Sequence, residues 1–195
     1  MANGTLKVSN IETSSGSGTI TLGASGETVD LSNGTITGIT QGVTEGDFFR
    51  TNANTSVSGG TDTLITSWAR NTQGVKVGTG MSVSSGIWTF PSTGIYLITT
   101  ELQYNASTSS RYIFTSIQKT SNNSSYTELA KGYANINRAS STWWAGAGLS
   151  VIFDCTDTTN DKIKIYAKSE NATEASGGTD DFSLGRAVFT RIGDT

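Results

Sequence analysis

The sequence predicts an all-β protein, and three observations lead to this fold class. Hydroxyl residues are abundant, with 32 threonines and 26 serines among 195 residues, and β-branched threonine suits the pleated surface of a strand. Short runs of alternating apolar and polar residues are separated by turn residues such as Gly, Asn and Ser. No segment keeps a 3.6-residue period for long enough to predict a helix. Many short strands joined by turns are typical of a β-sandwich or a β-barrel.

Composition divides the chain into two segments. Every Trp, Tyr and Phe lies at or after Phe48. Residues 1–45 contain one lysine against four acidic residues, whereas residues 46–195 carry 12 basic and 12 acidic residues. Two such shifts at one place indicate a domain boundary. We therefore predict an N-terminal segment at 1–45, a linker at 46–60 and a C-terminal knob at 61–195.

The N-terminal segment has a regular strand pattern but few apolar residues. The tetrapeptide Gly18-Thr-Ile-Thr is repeated at Gly34, and apolar residues alternate with polar ones around Leu22 and Leu31. A segment of about 45 residues without aromatic side chains buries too little surface to fold alone. One interpretation is a disordered Ser/Gly-rich tail. The regular alternation favours the other, a short β-rich stalk or anchor that is completed by copies of itself or by a partner.

In the C-terminal segment, the alternation predicts the strands and the faces that they bury. The predicted strands lie at 62–69, 74–78, 81–84, 86–90, 94–104, 111–119, 125–136, 142–154, 161–168 and 182–192. The residues expected to share inward faces are Tyr96, Ile98, Leu102 and Tyr104, then Ile113 and Ile117, then Trp143, Ala145, Ala147, Leu149, Val151 and Phe153, and then Ile163 and Ile165. In the last strand, Ala187 and Phe189 face one way, and Leu184, Val188 and Ile192 face the other.

The chain lacks the residues that several common kinds of site require. The absence of histidine excludes a Ser-His-Asp triad and histidine metal ligands, and a single Cys155 excludes a cysteine-rich zinc site. The net charge of -3 provides no basic footprint for nucleic acid. No phosphate-binding loop, nucleophile elbow, signal peptide or long apolar run is present. We therefore expect a non-enzymatic protein, made in a cytoplasm, that neither binds nucleic acid nor inserts into a membrane.

One acidic turn is a weak candidate for a cation site. Asp154, Asp157 and Asp161 flank the turn 154–160, and carboxylate oxygens at this density are ligands of the kind that Ca²⁺ prefers. The turn lacks the glycine and the final glutamate of an EF-hand loop. A plain polar turn is therefore the favoured interpretation, and no cofactor is expected.

Two polar loops are candidate partner-binding or receptor-binding sites. The loop 105–111 presents Asn105 and Arg111 between Tyr104 and Tyr112, and the loop 170–181 is long and acidic. Its candidate residues are Glu170, Asn171, Asp180 and Asp181. Aromatic rings can stack on sugar rings, and neighbouring hydroxyl and amide groups can form hydrogen bonds with the sugar hydroxyls. The alternative is that these polar loops only keep the knob soluble. Lys162, Lys164 and Lys168 share one strand face, which we interpret as a solvated sheet edge.

The stretch Trp88-Thr-Phe-Pro-Ser-Thr-Gly-Ile-Tyr96 resembles the corresponding part of C1q/TNF-like jelly rolls. Downstream, Gly148-Leu-Ser-Val-Ile-Phe153, then Asp161-Lys-Ile-Lys-Ile-Tyr166, and the closing Asp181 to Arg191 follow that family's order. The resemblance covers residues 62–192. It departs from the family at Asn160-Asp161, where Gly-Asp is common.

The resemblance implies a C-terminal jelly-roll β-sandwich that forms a homotrimer. Family members pack exposed aromatic and small residues around a three-fold axis. Trp143, Trp144, Phe182 and Phe189 put large apolar groups on both faces of their strands, which also indicates an interface. We expect these four residues at the trimer contact. An ion held by Thr179-Asp-Asp181 near such an axis is a minor alternative.

The opening of the chain, Met1 to Leu22, resembles the start of virion structural proteins of tailed phages, notably marine and cyanobacterial ones. The resemblance implies that residues 1–45 attach to other virion proteins and that the knob points outward. We therefore expect a virion protein that decorates the capsid or forms a short head fibre. One alternative is a receptor-binding tail fibre tip that recognises host surface glycan, and a glycan-degrading fibre is the least favoured.

Overall fold

The computed structural model describes residues 42–137 and 143–195. These residues belong to a compact unit that spans Gln41–Thr195. The predicted β-rich stalk or anchor at 1–45 lies outside the described residues, apart from its last four positions. Within the described ranges, no helix combines the length and the apolar character that a membrane crossing requires.

The described residues form thirteen strands in two antiparallel sheets. The first sheet has the order β2-β12-β7-β13-β1-β4, and β10 pairs with β7 along its whole length. Its strands are β1 (Gly46–Thr51), β2 (Thr55–Val57), β4 (Trp68–Arg70), β7 (Gly94–Ala106), β10 (Trp143–Cys155), β12 (Thr173–Ala175) and β13 (Arg186–Gly193).

The second sheet has the order β5-β6-β11-β8-β9, and β3 pairs with β11. Its strands are β3 (Thr63–Leu64), β5 (Ser82–Ser84), β6 (Ile87–Thr89), β8 (Ser110–Thr120), β9 (Thr127–Ile136) and β11 (Lys162–Ser169). The all-β two-sheet sandwich predicted from the sequence is thereby confirmed.

The hydrophobic core lies between the two sheets. In β7, every even-numbered residue is buried and every odd-numbered one is at least partly accessible, as expected for a strand with one face on the core. Trp88 is fully buried, and its ring contacts Phe49 and Phe189, each with ring centroids 4.8 Å away. The predicted inward faces are confirmed at Tyr96, Ile98, Leu102, Tyr104, Ile113, Ile117, Ala147, Phe153, Ile163 and Ile165, all of which are buried. Trp143 was predicted on an inward face but is 43% exposed. In β13, the buried face is the one that carries Ala187 and Phe189.

The linker predicted at 46–60 is wrong, because this range contains β1 and β2. The side chain of Phe49 is buried against Trp88, and Val57 is also buried. Strand β1 pairs with β13 on one side and with β4 on the other, so it is an interior strand of the first sheet.

Two predicted strands also differ from the structure. The range 62–69 contains two separate strands, β3 in the second sheet and the start of β4 in the first. The range 74–78 forms no strand, and Val77 makes only an isolated bridge to Gly46. Gly78 ends this segment at a φ of +68°, a left-handed conformation that favours glycine and interrupts an extended chain.

The interpretation of the lysine strand as a solvated edge is wrong. Strand β11 lies between β6 and β8 and is interior to the second sheet. Lys162 is buried, and its Nζ donates to the Thr158 carbonyl at 2.5 Å. Lys164 and Lys168 are half-buried.

Candidate binding surfaces

The outer face of the first sheet carries exposed aliphatic side chains, and we call it the first outer face. Leu97 on β7 and Ile152 on β10 lie directly opposite each other across the strand pair. Leu97 is 38% exposed and Ile152 is 61% exposed. Single exposed aliphatic residues are ordinary on protein surfaces, but adjacent ones on a regular sheet make a contiguous apolar area.

The middle of β10 presents small residues on the first outer face. The outward positions of β10 here are Gly146, Gly148 and Ser150, which have little or no side chain. Ser150 and Thr99 share a hydrogen bond between their hydroxyls at 2.8 Å. The Glu101 side chain of β7 fills the space above these glycines, because a Cβ atom on Gly146 would lie 2.4 Å from Glu101 Oε1 and one on Gly148 would lie 3.2 Å from Glu101 Cβ.

A cleft of about 460 Å³ lies on the same face, where β7 and β10 meet the loop before β13. Trp144 and Phe182 form its apolar walls, and Phe182 is 67% exposed. Glu101 and Arg186 also line the cleft, and they form an ion pair with 2.5 Å between Oε2 and Nη2. The cleft therefore combines exposed aromatic rings with a neutralised pair of charges.

Of the aromatic residues predicted at a trimer contact, three are exposed and one is not. Trp143, Trp144 and Phe182 are each more than two-fifths exposed. Phe189 is wrong as an interface residue because it is only 1% exposed within a single chain, where its ring packs on Trp88. Its outward neighbour Val188 is half-buried on the first outer face, opposite Thr99.

Tyr104 is also wrong as a partner-binding residue. Its side chain is fully buried, and its hydroxyl donates to the Phe114 carbonyl. Burial raises the pKa of the Tyr104 phenol above its ordinary value. The residue is part of the core, as its place on the inward face of β7 predicts.

Four of the other loop candidates come together in the structure. The Arg111 guanidinium pairs with the Glu170 carboxylate, which also accepts the Arg111 backbone N–H at 2.7 Å. These hydrogen bonds lower the pKa of Glu170. Tyr112 follows Arg111 on β8, and the Asn171 amide donates to the Ser109 carbonyl at 2.7 Å. The loop between β7 and β8, which crosses from the first sheet to the second, is thereby tied to the segment that follows β11.

The remaining loop candidates make separate contacts. Asp180 accepts hydrogen bonds from Arg50 Nε at 2.5 Å and from the Thr72 hydroxyl, and these bonds lower its pKa. Asp181 accepts from the Thr179 hydroxyl at 2.6 Å. Asn105 lies opposite Trp144 on the first outer face, so it does not belong to the Arg111 group.

The outer face of the second sheet, the second outer face, carries an aromatic row that we define as Tyr112, Phe114 and Tyr133. Tyr112 stacks on Phe114 with 4.9 Å between ring centroids, and Phe114 contacts Tyr133 at 5.5 Å. Lys131 Nζ lies 5.1 Å from the centroid of the Phe114 ring. The rings and the cation therefore form one continuous group across β8 and β9.

The acidic turn is a hydrogen-bonded turn in which the three carboxylates do not converge. Asp161 Oδ2 accepts the backbone N–H groups of Thr156 and Asp157, at 2.7 and 2.8 Å. The Asp157 carboxylate accepts from Asn160 Nδ2 at 2.7 Å, which lowers its pKa, while Asp154 is exposed on β10. Over the described ranges, no three acidic or cysteine side chains are grouped as metal ligands.

The sequence interpretation missed the aliphatic part of the first outer face and most of the aromatic row. A signal for the former was present, because Val151-Ile152-Phe153 and Tyr96-Leu97-Ile98 are uninterrupted apolar runs. Such runs indicate a strand that is covered on both faces. The aromatic row combines β8 with β9, so only the strand register could place its rings side by side.

Solved structures match this fold, although no protein-family model and no curated protein matches the sequence. The structure of Eiger TNF from S. frugiperda has a TM-score of 0.61 and 12% sequence identity, and the match covers 78% of this chain and 95% of that chain. Murine APRIL at pH 5.0 has a TM-score of 0.57 and 12% identity over 76% of this chain and 98% of that chain. Murine APRIL at pH 8.0 has a TM-score of 0.55 and 14% identity. The chain therefore has the TNF-like jelly-roll fold.

Proposed function

We propose that this chain is a non-enzymatic structural protein of a phage virion, a homotrimeric capsid decoration or head fibre. Its knob stabilises the particle or adheres weakly to surfaces. The observation that carries the proposal is the first outer face, where Leu97 and Ile152 are exposed directly opposite each other on paired strands. A second copy of the chain is the occupant that we assign to this face.

The chemistry of the first outer face supports self-association. When a partner removes exposed aliphatic and aromatic side chains from water, the free energy falls by roughly 25 cal/mol for each Å² of apolar surface that is buried. The Glu101–Arg186 pair at the edge of this area carries no net charge, so like copies do not repel each other there. The resemblance to C1q/TNF-like proteins favours three copies around one axis.

The charged groups of the knob support a non-enzymatic role. Glu101, Glu170 and Asp180 are each paired with an arginine. The hydrogen bonds that lower the pKa of Glu170 and of Asp180 keep these two carboxylates ionised, which makes them poor general acids. Such pairs are well suited to fixing loops and strand ends.

The virion setting rests on the resemblance of residues 1–22 to phage structural proteins. In this proposal residues 1–45 attach the chain to other virion proteins, and three copies of the knob face outward. Three weak contacts on one trimer then bind more tightly than one, because the second and third contacts are intramolecular. A receptor-binding tail fibre tip is the alternative, and it needs the same trimer.

The self-association is tested with the variant Ile152→Glu. We expect the wild type to have the mass of three chains by light scattering at micromolar concentration and the variant to have the mass of one. The charge at a 61% exposed position leaves the fold of the single chain intact, which circular dichroism checks. Val75→Glu is the matched control, since Val75 is 80% exposed in the loop after β4. An Ile152→Glu variant that remains trimeric would contradict the proposed interface.

The virion role is tested by gold-labelled antibodies on intact phage particles. Labelling of the head supports a decoration or head fibre, and labelling of the tail tip supports the receptor-binding alternative. Particles that lack the protein altogether would refute both.

A further inference from the structure

The aromatic row on the second outer face is rigid and accessible at the same time. Tyr133 is 63% exposed, yet its hydroxyl donates to the Arg111 carbonyl at 2.7 Å. Its ring packs on Phe114, which in turn stacks on Tyr112. A ring that is already fixed in place loses little conformational entropy when a ligand stacks on it.

The charges around the row are balanced within the protein. Among the described cations beside the row, Lys131 forms an ion pair with Glu128 at 2.7 Å. Lys168 lies opposite Phe114 in the strand register and forms an ion pair with Asp62 at 3.3 Å. Arg111 pairs with Glu170. An anionic ligand would therefore have to compete with a carboxylate for each cation. An uncharged ligand with many hydroxyl groups can bond to both members of a pair without separating them.

The two central strands of the second outer face, β8 and β11, do not have the composition of a protein interface core. On β8 and β11, the residues that point outward include Tyr112, Phe114, Ser116, Gln118, Lys164, Tyr166 and Lys168. None of them is aliphatic, whereas the first outer face exposes Leu97 and Ile152. Interface cores are apolar and depleted in lysine, but rings interspersed with hydroxyl, amide and charged groups suit a sugar, which has an apolar ring face and a polar edge.

We propose that the second outer face binds a neutral oligosaccharide, with one sugar ring on Tyr133 and its hydroxyls bonded to the Arg111–Glu170 pair. This inference rests on the proposed function in one respect. If copies of the chain cover the first outer face, the second, on the opposite side of the sandwich, is left to point away from them. Three such surfaces on one trimer would bind a repetitive polysaccharide through several weak contacts.

The test uses the full chain and a panel of soluble neutral tetra- to hexasaccharides of glucose, galactose, mannose and N-acetylglucosamine. Saturation-transfer NMR identifies the sugars that bind, and titration gives the affinity of each site. We expect at least one to bind, and Tyr133→Ala to weaken its binding at least tenfold. Tyr133→Phe keeps the ring and should bind within about threefold of the wild type, since it loses only the bond to the Arg111 carbonyl.

A matched control removes an exposed ring from the first outer face. Phe182→Ala should leave sugar affinity unchanged, because a soluble oligosaccharide reports single-site binding and does not depend on trimer formation. For the same reason, Ile152→Glu separates the two proposals: a monomeric variant that still binds sugar is consistent with both, and a trimeric one would refute only the interface. Failure of every neutral sugar to bind, or equal affinity in Tyr133→Ala, would overturn the inference.

Discussion

The substitution Phe189→Ala distinguishes a core residue from an interface residue at a position where sequence and structure disagree. Phe189 is 1% exposed, and its ring centroid lies 4.8 Å from that of Trp88. Truncating a buried phenylalanine to alanine costs about 3–5 kcal/mol, through lost burial and the cavity that remains. In a domain of this size each kcal/mol lowers the melting temperature by about 2–4 °C. We therefore expect a fall of about 6–20 °C.

The assay is thermal denaturation followed by tryptophan fluorescence, at two protein concentrations tenfold apart. Phe182→Ala is the matched control, because it makes the same change at a side chain that is 67% exposed. A loss in the single-chain core lowers the midpoint at both concentrations, whereas a loss at an interface changes how the midpoint depends on concentration. If Phe189→Ala unfolds like the wild type while Phe182→Ala is strongly destabilised, the placement of Phe189 in the core is incorrect.

Two further predictions concern a close strand contact and the single thiol. A Cβ atom on Gly132 of β9 would lie 2.1 Å from the Gly148 carbonyl oxygen of β10, so Gly132→Ala must displace backbone and should cost at least about 1–3 kcal/mol. The control Gly193→Ala has open space and should change the free energy of unfolding by less than about 0.5 kcal/mol; equal effects of the two would contradict the strand contact. Burial raises the pKa of the Cys155 thiol to about 11 from the usual 9.0, so the native thiol should stay unreactive towards a disulfide reagent at pH 8 and react once urea unfolds the chain. The raised pKa also means that the stabilisation by the neutral thiol is complete below about pH 9 and is lost as the pH rises towards 11. If the thiol of the native protein reacted as fast as that of the unfolded chain, Cys155 would not be buried.

The long strands could be predicted from the sequence because each one shows its own period. Strand β7 alternates over 13 residues, which leaves little doubt about which face is buried. Strands β2 and β12 have three residues each, too few to show a period of two. Strand β1 falls in the predicted linker because aromatic content and charge change at this point of the chain, whereas its partner β13 lies about 140 residues away in the sequence and leaves no local signal.

In the last strand, alternation groups residues by face but does not say which face is buried, because both faces carry apolar residues. Phe189 and Ala187 were correctly placed together, yet only the pairing of β13 with β7 and β1 shows that their face lies on the core. Tyr104 received two incompatible predictions, one as an inward residue of β7 and one as a loop residue. The alternation was the better guide, because burial of a whole strand face outweighs the polar turn that follows it.

The Arg111–Glu170 pair shows what composition could and could not predict. Both residues were candidates because they lie in polar loops, but 59 positions separate them in the sequence. Their contact depends on the pairing of β8 with β11, which brings Ile113 opposite Ser169. Tyr133 joins them only through the register of β9. The aromatic row and the Arg111–Glu170 pair together therefore require three strands, β8, β9 and β11, to be in place.

The central claim is that the first outer face holds copies of this chain together, and the mass of the full chain in solution tests it most directly. Light scattering coupled to size exclusion, from about 1 to 50 µM, should give three chain masses across the range. A mass of one chain at every concentration would contradict the claim.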